Sequence, residues 1–319
     1  MKKAEIKTVR ISYRVLLVFV LVAMVMLLSI LSPFFFSWNN FLNILNQSAV
    51  QLILAIGMTF VICSGGIDLS IGAIMAFSAI IMAMLLKAGI SPLGSILTGA
   101  GIGFGIGIFH GVIIFTVKIN SFIVTLSTMA ILRGATILIT DGRPIYGFES
   151  SFTFWGSANT AVIGMPVVIA GLVAVSGIFL LEKTTFGNYC FFLGTNEKAL
   201  HRCGVSVGIY KSLIFGISGF CAGLAGFLVT ARLNTADPLA GSGYEMDAIA
   251  AVILGGTLLQ GGKGSIGGTI VACLILNVMR NGLTMLSISS NYQQLLTGLI
   301  VLVSVIISEI KSRKNEVMR

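Results

Sequence analysis

The chain has 319 residues, of which 56% are hydrophobic and 10% are charged, and its formal net charge is +9 at pH 7. This apolar composition excludes a soluble globular protein of that length and indicates a membrane protein. The positive charge does not indicate nucleic-acid binding, because most of the cations fall on one predicted side of the membrane.

Ten apolar stretches predict an all-α, polytopic membrane bundle of about ten transmembrane helices. A helix of about 20 residues crosses the hydrocarbon core, which is roughly 30 Å thick. The segments between the stretches are too short for a second domain, so we predict a single transmembrane domain over residues 1–319. The predicted spans are 15–32, 48–63, 69–86, 93–117, 121–140, 162–181, 212–231, 246–259, 266–285 and 292–309.

The distribution of lysine and arginine predicts that both termini are cytoplasmic. Cations cluster in the tails 1–14 and 310–319 and in the long loop 182–211. The opposite loops hold only Lys87, Arg143 and Arg232. Loops rich in lysine and arginine stay on the cytoplasmic side. The five cysteines show no CxxC spacing, so we expect no disulfide framework.

Asp68 is the only charged residue between positions 15 and 86. It lies in Ser64-Gly-Gly-Ile-Asp-Leu-Ser-Ile-Gly72, a glycine-rich break between two apolar stretches. A carboxylate at the centre of a membrane helix is unfavourable by about 2.5–3.5 kcal/mol. Such a residue is therefore a functional candidate. We predict that Asp68 accepts hydrogen bonds from backbone N–H groups of the break or of the next helix, and that it acts in gating.

Polar residues inside the apolar spans are candidates for a solute path. Helical spacing places Ser121, Thr125 and Thr128 on one face. Hydroxyl and amide groups without balancing acids suit a neutral, polyhydroxylated solute better than an ion. The alternative is that they form interhelical hydrogen bonds, each worth about 0.6 kcal/mol. The predicted path and gate residues are Gln51, Gly65, Gly66, Asp68, Ser70, Asn120, Ser121, Thr125, Thr128, Arg133, Arg280 and Asn281.

No motif in the chain indicates catalysis, a metal or a cofactor. The glycine-rich stretch 255–264 is not a phosphate-binding loop, because Thr257 replaces its first glycine and Gly264 follows Lys263. Two histidines without clustered cysteines or carboxylates give no metal site. We therefore expect a protein that is not an enzyme and does not itself bind ATP.

Five segments resemble the membrane subunit of ATP-binding-cassette (ABC) sugar importers, the ribose permease family. They are Ser64–Gly72, Asn120–Thr128 with Leu132-Arg-Gly134, Thr185-Phe-Gly-Asn188 with Gly194-Thr-Asn-Glu-Lys-Ala199 and Gly204-Val205, Glu245–Thr257, and Gly261–Gly264. The match covers nearly the whole chain in order. Asn188 and Cys190 depart from the more polar or basic residues expected in that inner loop.

The resemblance implies a permease subunit in the cytoplasmic (inner) membrane of a bacterium, with no nucleic-acid partner. Its implied partners are a second permease copy, identical or different, a separate ATPase subunit that binds ATP, and a periplasmic or lipid-anchored sugar-binding protein. The loop 182–211, which the spacing allows to form a short helix, is then the ATPase coupling segment. Its implied residues are Gly187, Asn188, Gly194, Asn196, Lys198, Ala199, Arg202 and Gly204.

The outer loops 141–161 and 232–246 are expected to meet the binding protein, and their acids would pair with its basic residues. Those acids are Asp141, Glu149, Asp237 and Glu245. Ribose is the first choice of substrate, with other pentoses, hexoses and furanoses open. The alternatives are a branched-chain amino-acid permease, an ion-driven carrier with Asp68 as its one titratable mid-membrane group, and a passive channel.

Overall fold

The computed structural model describes residues 13–157, 159–160 and 163–317, which form twelve helices and four two-residue strands. The cations at positions 2–10 and residue 319 lie outside the described residues. The helices are α1 Tyr13–Leu31, α2 Trp38–Cys63, α3 Ile71–Lys87, α4 Pro92–Thr116, α5 Ser121–Thr140, α6 Ser150–Ser157, α7 Met165–Lys183, α8 Thr185–Arg202, α9 Val207–Leu233, α10 Tyr244–Leu254, α11 Ile266–Met285 and α12 Ser290–Val317. The strands are β1 Ile145–Tyr146, β2 Asn159–Thr160, β3 Ile163–Gly164 and β4 Thr235–Ala236.

Each predicted span overlaps a helix, and the helical membrane architecture is confirmed. Among the described residues, seven helices are long and apolar enough to cross a membrane: α1, α2, α4, α5, α7, α9 and α11. Helix α3 has 17 residues and α10 has 11. Both are short because an irregular segment occupies the residues that precede them. The number of about ten membrane crossings therefore stays a prediction.

The largest boundary difference is at the start of α2. The predicted span began at residue 48, whereas the helix begins at Trp38. Ser37 accepts a hydrogen bond from the backbone N–H of Asn40 and so satisfies one free donor of the first turn. Hydropathy missed these early turns because they carry several asparagines.

Helices α2 and α9 form the centre of the bundle, and the packing around them repeats. Helix α4 packs on α9 as α11 packs on α2, and α3 packs on α9 as α10 packs on α2. Helix α3 also contacts α4 and α5, as α10 contacts α11 and α12. The segments α2–α5 and α9–α12 therefore match helix by helix and form two four-helix units, and the first helix of each unit, α2 or α9, packs against the other unit. Such internal repeats are found in transporters.

Glycines provide the closest of these contacts. A Cβ atom on Gly103, Gly107 or Gly111 of α4 would overlap the backbone of α9. Small residues at helical spacing are typical of a face on which helices in a membrane pack closely, and these three glycines lie on such a face.

The described residues of the outer loop 141–161 form a short helix and short strands. Strand β1 pairs with β4, which follows α9, and so joins the two outer loops. Helix α6 places Phe152 in the core, where its ring packs against those of Phe148 and Phe227. Lys87, at the end of α3, donates a hydrogen bond to the carbonyl oxygen of Gly147 (2.6 Å). The outer loops thus form one connected surface above α3 and α9.

Candidate translocation gate and coupling helix

The break between α2 and α3 is held by the buried side chain of Asp68. Gly65 has a positive φ, a conformation that favours glycine, and turns the chain out of α2. One carboxylate oxygen of Asp68 accepts hydrogen bonds from the backbone N–H (3.0 Å) and the hydroxyl (2.5 Å) of Ser70. The other accepts a hydrogen bond from the hydroxyl of Ser218 in α9 (2.9 Å). The predicted hydrogen bond to the N-terminal end of α3 is therefore confirmed.

Two hydroxyls of α5 bind the backbone of the same break. Ser121 accepts a hydrogen bond from the N–H of Ile67 (3.1 Å), and Thr125 accepts one from the N–H of Leu69 (3.1 Å). These donors have no helical partner, and leaving them unpaired in an apolar environment would be unfavourable. This face of α5 therefore fixes the break.

The other predicted residues of α5 and the break have local partners. Thr128 donates to the carbonyl oxygen of Val124 in its own helix (3.0 Å). Asn120 caps α5 by accepting a hydrogen bond from the N–H of Phe122 (2.9 Å). Gly66 is buried, and its N–H donates to Val61 (3.0 Å).

His110 of α4 is a neighbour of this site that the sequence analysis did not select. Its side chain is fully buried and interacts electrostatically with Asp68. Within the described residues, neither imidazole nitrogen has a hydrogen-bond partner. The ring meets that of Phe215 edge-on, with centroids 6.3 Å apart. Its place on the glycine-rich face of α4 gave no signal of this proximity.

A second irregular segment, residues 234–243, leads from α9 into α10. Arg133, in the middle of α5, donates hydrogen bonds to the carbonyl oxygens of Ala240 (2.6 Å) and Pro238 (3.3 Å). The guanidinium thus satisfies carbonyls that lie outside a helix. Irregular backbone at membrane depth is tolerated where such partners are available. A Cβ atom on Gly72 would overlap Gly241, so this segment packs directly on the start of α3.

Asp247, in the first turn of α10, is a buried carboxylate that the sequence analysis missed. It forms a bidentate ion pair with Arg280 of α11, with one N–O distance of 2.6 Å. Arg280 also donates a hydrogen bond to the hydroxyl of Thr297 in α12 (3.3 Å). Asp247 is thus a buried carboxylate in addition to Asp68. The argument applied to Asp68, a charge inside an apolar helix, would have selected Asp247 as well.

The remaining predicted path residues join α11 to α2. Gln51 accepts a hydrogen bond from the side-chain amide of Asn277 (2.8 Å). Asn281 and Asn40 exchange two amide hydrogen bonds (2.8 and 3.0 Å). The predicted residues thus fall into three groups: those at the α2–α3 break, Arg133 at the segment 234–243, and those at the contact between α2 and α11. Their intramolecular bonds are those expected of interhelical contacts, and a role in a solute path stays a prediction.

The loop 182–211 is largely helical, in agreement with the helix foreseen for this segment. Helix α8 has non-helical backbone angles at Asn196, whose side chain accepts a hydrogen bond from the N–H of Ala199 (2.9 Å) and caps the second part of the helix. Glu197 then forms an ion pair with Lys211 of α9 (2.7 Å).

The two faces of α8 differ in composition. The face toward the bundle is buried and carries small or apolar residues: Gly187, Cys190, Leu193 and Leu200. Cys190 donates to the carbonyl oxygen of Phe60 (3.1 Å), which accounts for a small residue there. The opposite face is exposed and carries Asn188, Phe192, Asn196, Lys198, Ala199 and Arg202, with Gly204 in the turn that follows. Phe192 was not among the predicted residues, although it is 56% exposed.

Helices interrupted at buried polar segments, together with a helix lying beside the bundle, define a polytopic membrane protein of the transporter type. A family model described as "Branched-chain amino acid transport system / permease component" matches residues 40–305. The chain therefore belongs to this permease family.

Individual relatives are similar over almost their whole length. The ribose import permease protein RbsC of Bacillus subtilis is 42% identical over 291 residues, which cover 91% of this chain and 90% of that protein. RbsC of Escherichia coli K12 is 39% identical over 295 residues, covering 91% and 92%. The D-allose transport system permease protein AlsC of Escherichia coli is 37% identical over 297 residues, covering 92% and 91%.

A solved structure described as an inward-facing conformation of a metal-chelate type ABC transporter has a similar fold. The TM-score is 0.52 at 16% identity, and the match covers 93% of this chain and 98% of that one. At this identity the likeness concerns the fold alone.

Proposed function

We propose that the chain is the membrane-spanning permease subunit of an ABC importer for a monosaccharide, with ribose as the first substrate to test. The observation that carries this proposal is the near full-length similarity to ribose and D-allose permeases at 37–42% identity. In this role the chain forms the translocation path and catalyses no reaction. ATP is bound and hydrolysed by a separate subunit.

Each implied partner has a candidate surface on this chain. The ATPase binds the exposed face of α8, where lysine, arginine and Phe192 are available. A sugar-binding protein docks on the connected outer loops, and a second permease copy completes the path within the bilayer. The proposed topology has both termini in the cytoplasm of a bacterium, about ten crossings of the inner membrane, and the whole of residues 1–319 in a single domain with tails at 1–14 and 310–319.

Transport then follows alternating access. ATP binding closes the ATPase dimer, moves α8 and switches the path between outward-open and inward-open states. The sugar shifts this equilibrium only by its difference in affinity for the two states. The Asp68 break is suited to gating, because the backbone N–H groups of Ile67 and Leu69 donate to hydroxyls of α5 and the Asp68 carboxylate accepts a hydrogen bond from α9.

The test is to purify the tagged chain with the proteins that accompany it and to reconstitute the complex with its binding protein. We expect a co-purifying ATPase subunit and ATP-dependent uptake of radiolabelled ribose that unlabelled ribose inhibits and leucine does not. A complex with an inactive ATPase is the control. Recovery of the chain without an ATPase, with uptake that an ionophore abolishes, would instead identify an ion-driven carrier.

A further inference from the structure

Three glycine-containing segments from distant parts of the sequence meet at one point beside α8. They are the end of α2 with its break (Cys63–Gly65), the turn between α10 and α11 (Gly261 and Gly262), and Gly194 in α8. A Cβ atom on Gly194 would overlap the carbonyl oxygen of Cys63 and the amide nitrogen of Gly262. A Cβ atom on Gly261 would lie 2.9 Å from Cα of both Gly194 and Gly65. The three backbones are thus in direct contact.

A hydrogen bond joins the two turns on which Gly194 packs. The N–H of Gly262 donates to the carbonyl oxygen of Cys63 (2.9 Å), although the residues are far apart in sequence. Cys63 ends α2 in the first four-helix unit, and Gly262 precedes α11 in the second. Because the two turns are bonded to each other, a displacement of one acts on the other.

Backbone conformation does not explain why residue 194 is a glycine. Gly65, Gly261 and Gly262 each have a positive φ, which accounts for glycine at those three positions. Gly194 is not among the residues with positive φ and lies within a helix, where alanine would be more favourable. The close approach of Cys63 and Gly262 is therefore what excludes a side chain at this position.

We infer that Gly194 is the positioning residue through which α8 acts on both glycine-rich turns, and so on both four-helix units at once. This inference rests on the proposed function. In the first unit, Gly194 lies against Gly65, from which the break continues to Asp68 and the start of α3. In the second unit, Gly194 lies against Gly261 and Gly262, shortly before α11. Gly194 thus faces the bundle, while the exposed face of α8 remains for the ATPase.

The experiment compares Gly194→Ala with Gly171→Ala in the reconstituted complex. Gly171 is a matched control, because it is a helical glycine of α7 with no described atom beyond its own helix backbone and chain neighbours within 4 Å of an added Cβ. We expect Gly194→Ala to retain the ATPase and its hydrolysis rate but to transport roughly 2- to 30-fold less sugar per ATP, the range for changes within coupled networks. Gly171→Ala should match the wild type. An unchanged ratio of sugar to ATP in Gly194→Ala would overturn the inference.

A second measurement tests the inference if Gly194→Ala does not form a complex with the ATPase. Spin labels at Thr195→Cys and Lys263→Cys, both exposed positions, report the distance from α8 to the α10–α11 turn when the exposed Cys203 is replaced by serine. We expect the same distance distribution in nucleotide-free and nucleotide-trapped complexes, because the contact moves as one body. Separation of the two distributions would overturn the inference. Failure of the wild-type chain to bind an ATPase would refute the proposed function itself.

Discussion

The hydroxyl of Ser218 in α9 donates a hydrogen bond to the carboxylate of Asp68 at the α2–α3 break, over 2.9 Å. Both side chains are buried, at 1% and 0% exposure. The bond links the break to one of the two central helices. A change in the position of α9 relative to α2 therefore acts directly on the residue that orders the start of α3.

Ser218→Ala should weaken transport and stability together. A hydrogen bond to a charged group contributes about 1.5–3 kcal/mol, so we expect a stability loss in that range. Thermal unfolding in detergent and sugar uptake in vesicles measure the two effects. Ser212→Ala is the matched control, because that hydroxyl of α9 donates only to Gly208 in its own helix.

Asp68→Asn keeps the shape of the side chain and removes its charge. We expect it to reduce uptake, and we expect the double variant with Ser218→Ala to lose less than the sum of the single losses, because one change weakens and the other removes the same bond. Normal uptake by Asp68→Asn would show that the charge is not needed for gating. Additive losses would show that the two residues act independently.

The sequence was sufficient to select Asp68 because a lone charge in a long apolar region has few structural explanations. Spacing likewise placed Ser121 and Thr125 on one face of α5. Ser218 could not be found in this way, because a serine in a glycine-rich helix resembles many others and its partner is 150 residues away. The meeting of Gly65, Gly194 and Gly261 depends on tertiary packing that neither composition nor periodicity reports. Asp247 was missed because, next to Glu245, it was treated as part of a motif rather than as a buried charge.

The ion pair of Asp247 and Arg280 should be a strong determinant of stability. Removing one partner of a buried ion pair is unfavourable by about 3–5 kcal/mol, and because Arg280 is partly exposed, Asp247→Ala should fall at the lower end of that range. We expect Asp247→Ala to lower the thermal midpoint strongly, and the double variant with Arg280→Ala to recover part of the loss. Glu182→Gln serves as the control, because Glu182 is partly exposed and lies 3.8 Å from Arg14. An effect of Asp247→Ala no larger than that of this control would contradict the prediction.

The accessible thiol of Cys203 provides a test of the proposed topology. Cys203 is exposed, whereas Cys63, Cys190, Cys221 and Cys273 are buried. With the termini and α8 in the cytoplasm, a membrane-impermeant maleimide should label inside-out vesicles and leave right-side-out vesicles unlabelled. Cys203→Ser should abolish the signal. Adding Ser151→Cys, in the exposed outer helix α6, should then give labelling from the opposite side.

Phe192 is expected to anchor the ATPase on the exposed face of α8. Aromatic anchors at the centre of an interface contribute about 2 kcal/mol or more when truncated, which corresponds to a loss of about 30-fold in affinity. We expect Phe192→Ala to reduce co-purification of the ATPase without lowering the thermal midpoint of the permease. Phe179→Ala is the control, since Phe179 is similarly exposed but lies on α7. Equal ATPase recovery from both variants would exclude Phe192 as an anchor.

The acids of the outer loops should differ in their response to charge reversal. Asp141, Glu149 and Asp237 are exposed, and reversal to lysine should slow association of the sugar-binding protein, most clearly at low salt. Glu245 is half-buried, accepts a hydrogen bond from the N–H of Gly243 (3.2 Å) and lies beside Gly72 at the start of α3. Its reversal should instead destabilise the permease itself. Association rates over a salt series, together with thermal midpoints, separate the two effects. Unchanged uptake and association in the three surface variants would remove these acids from the docking surface.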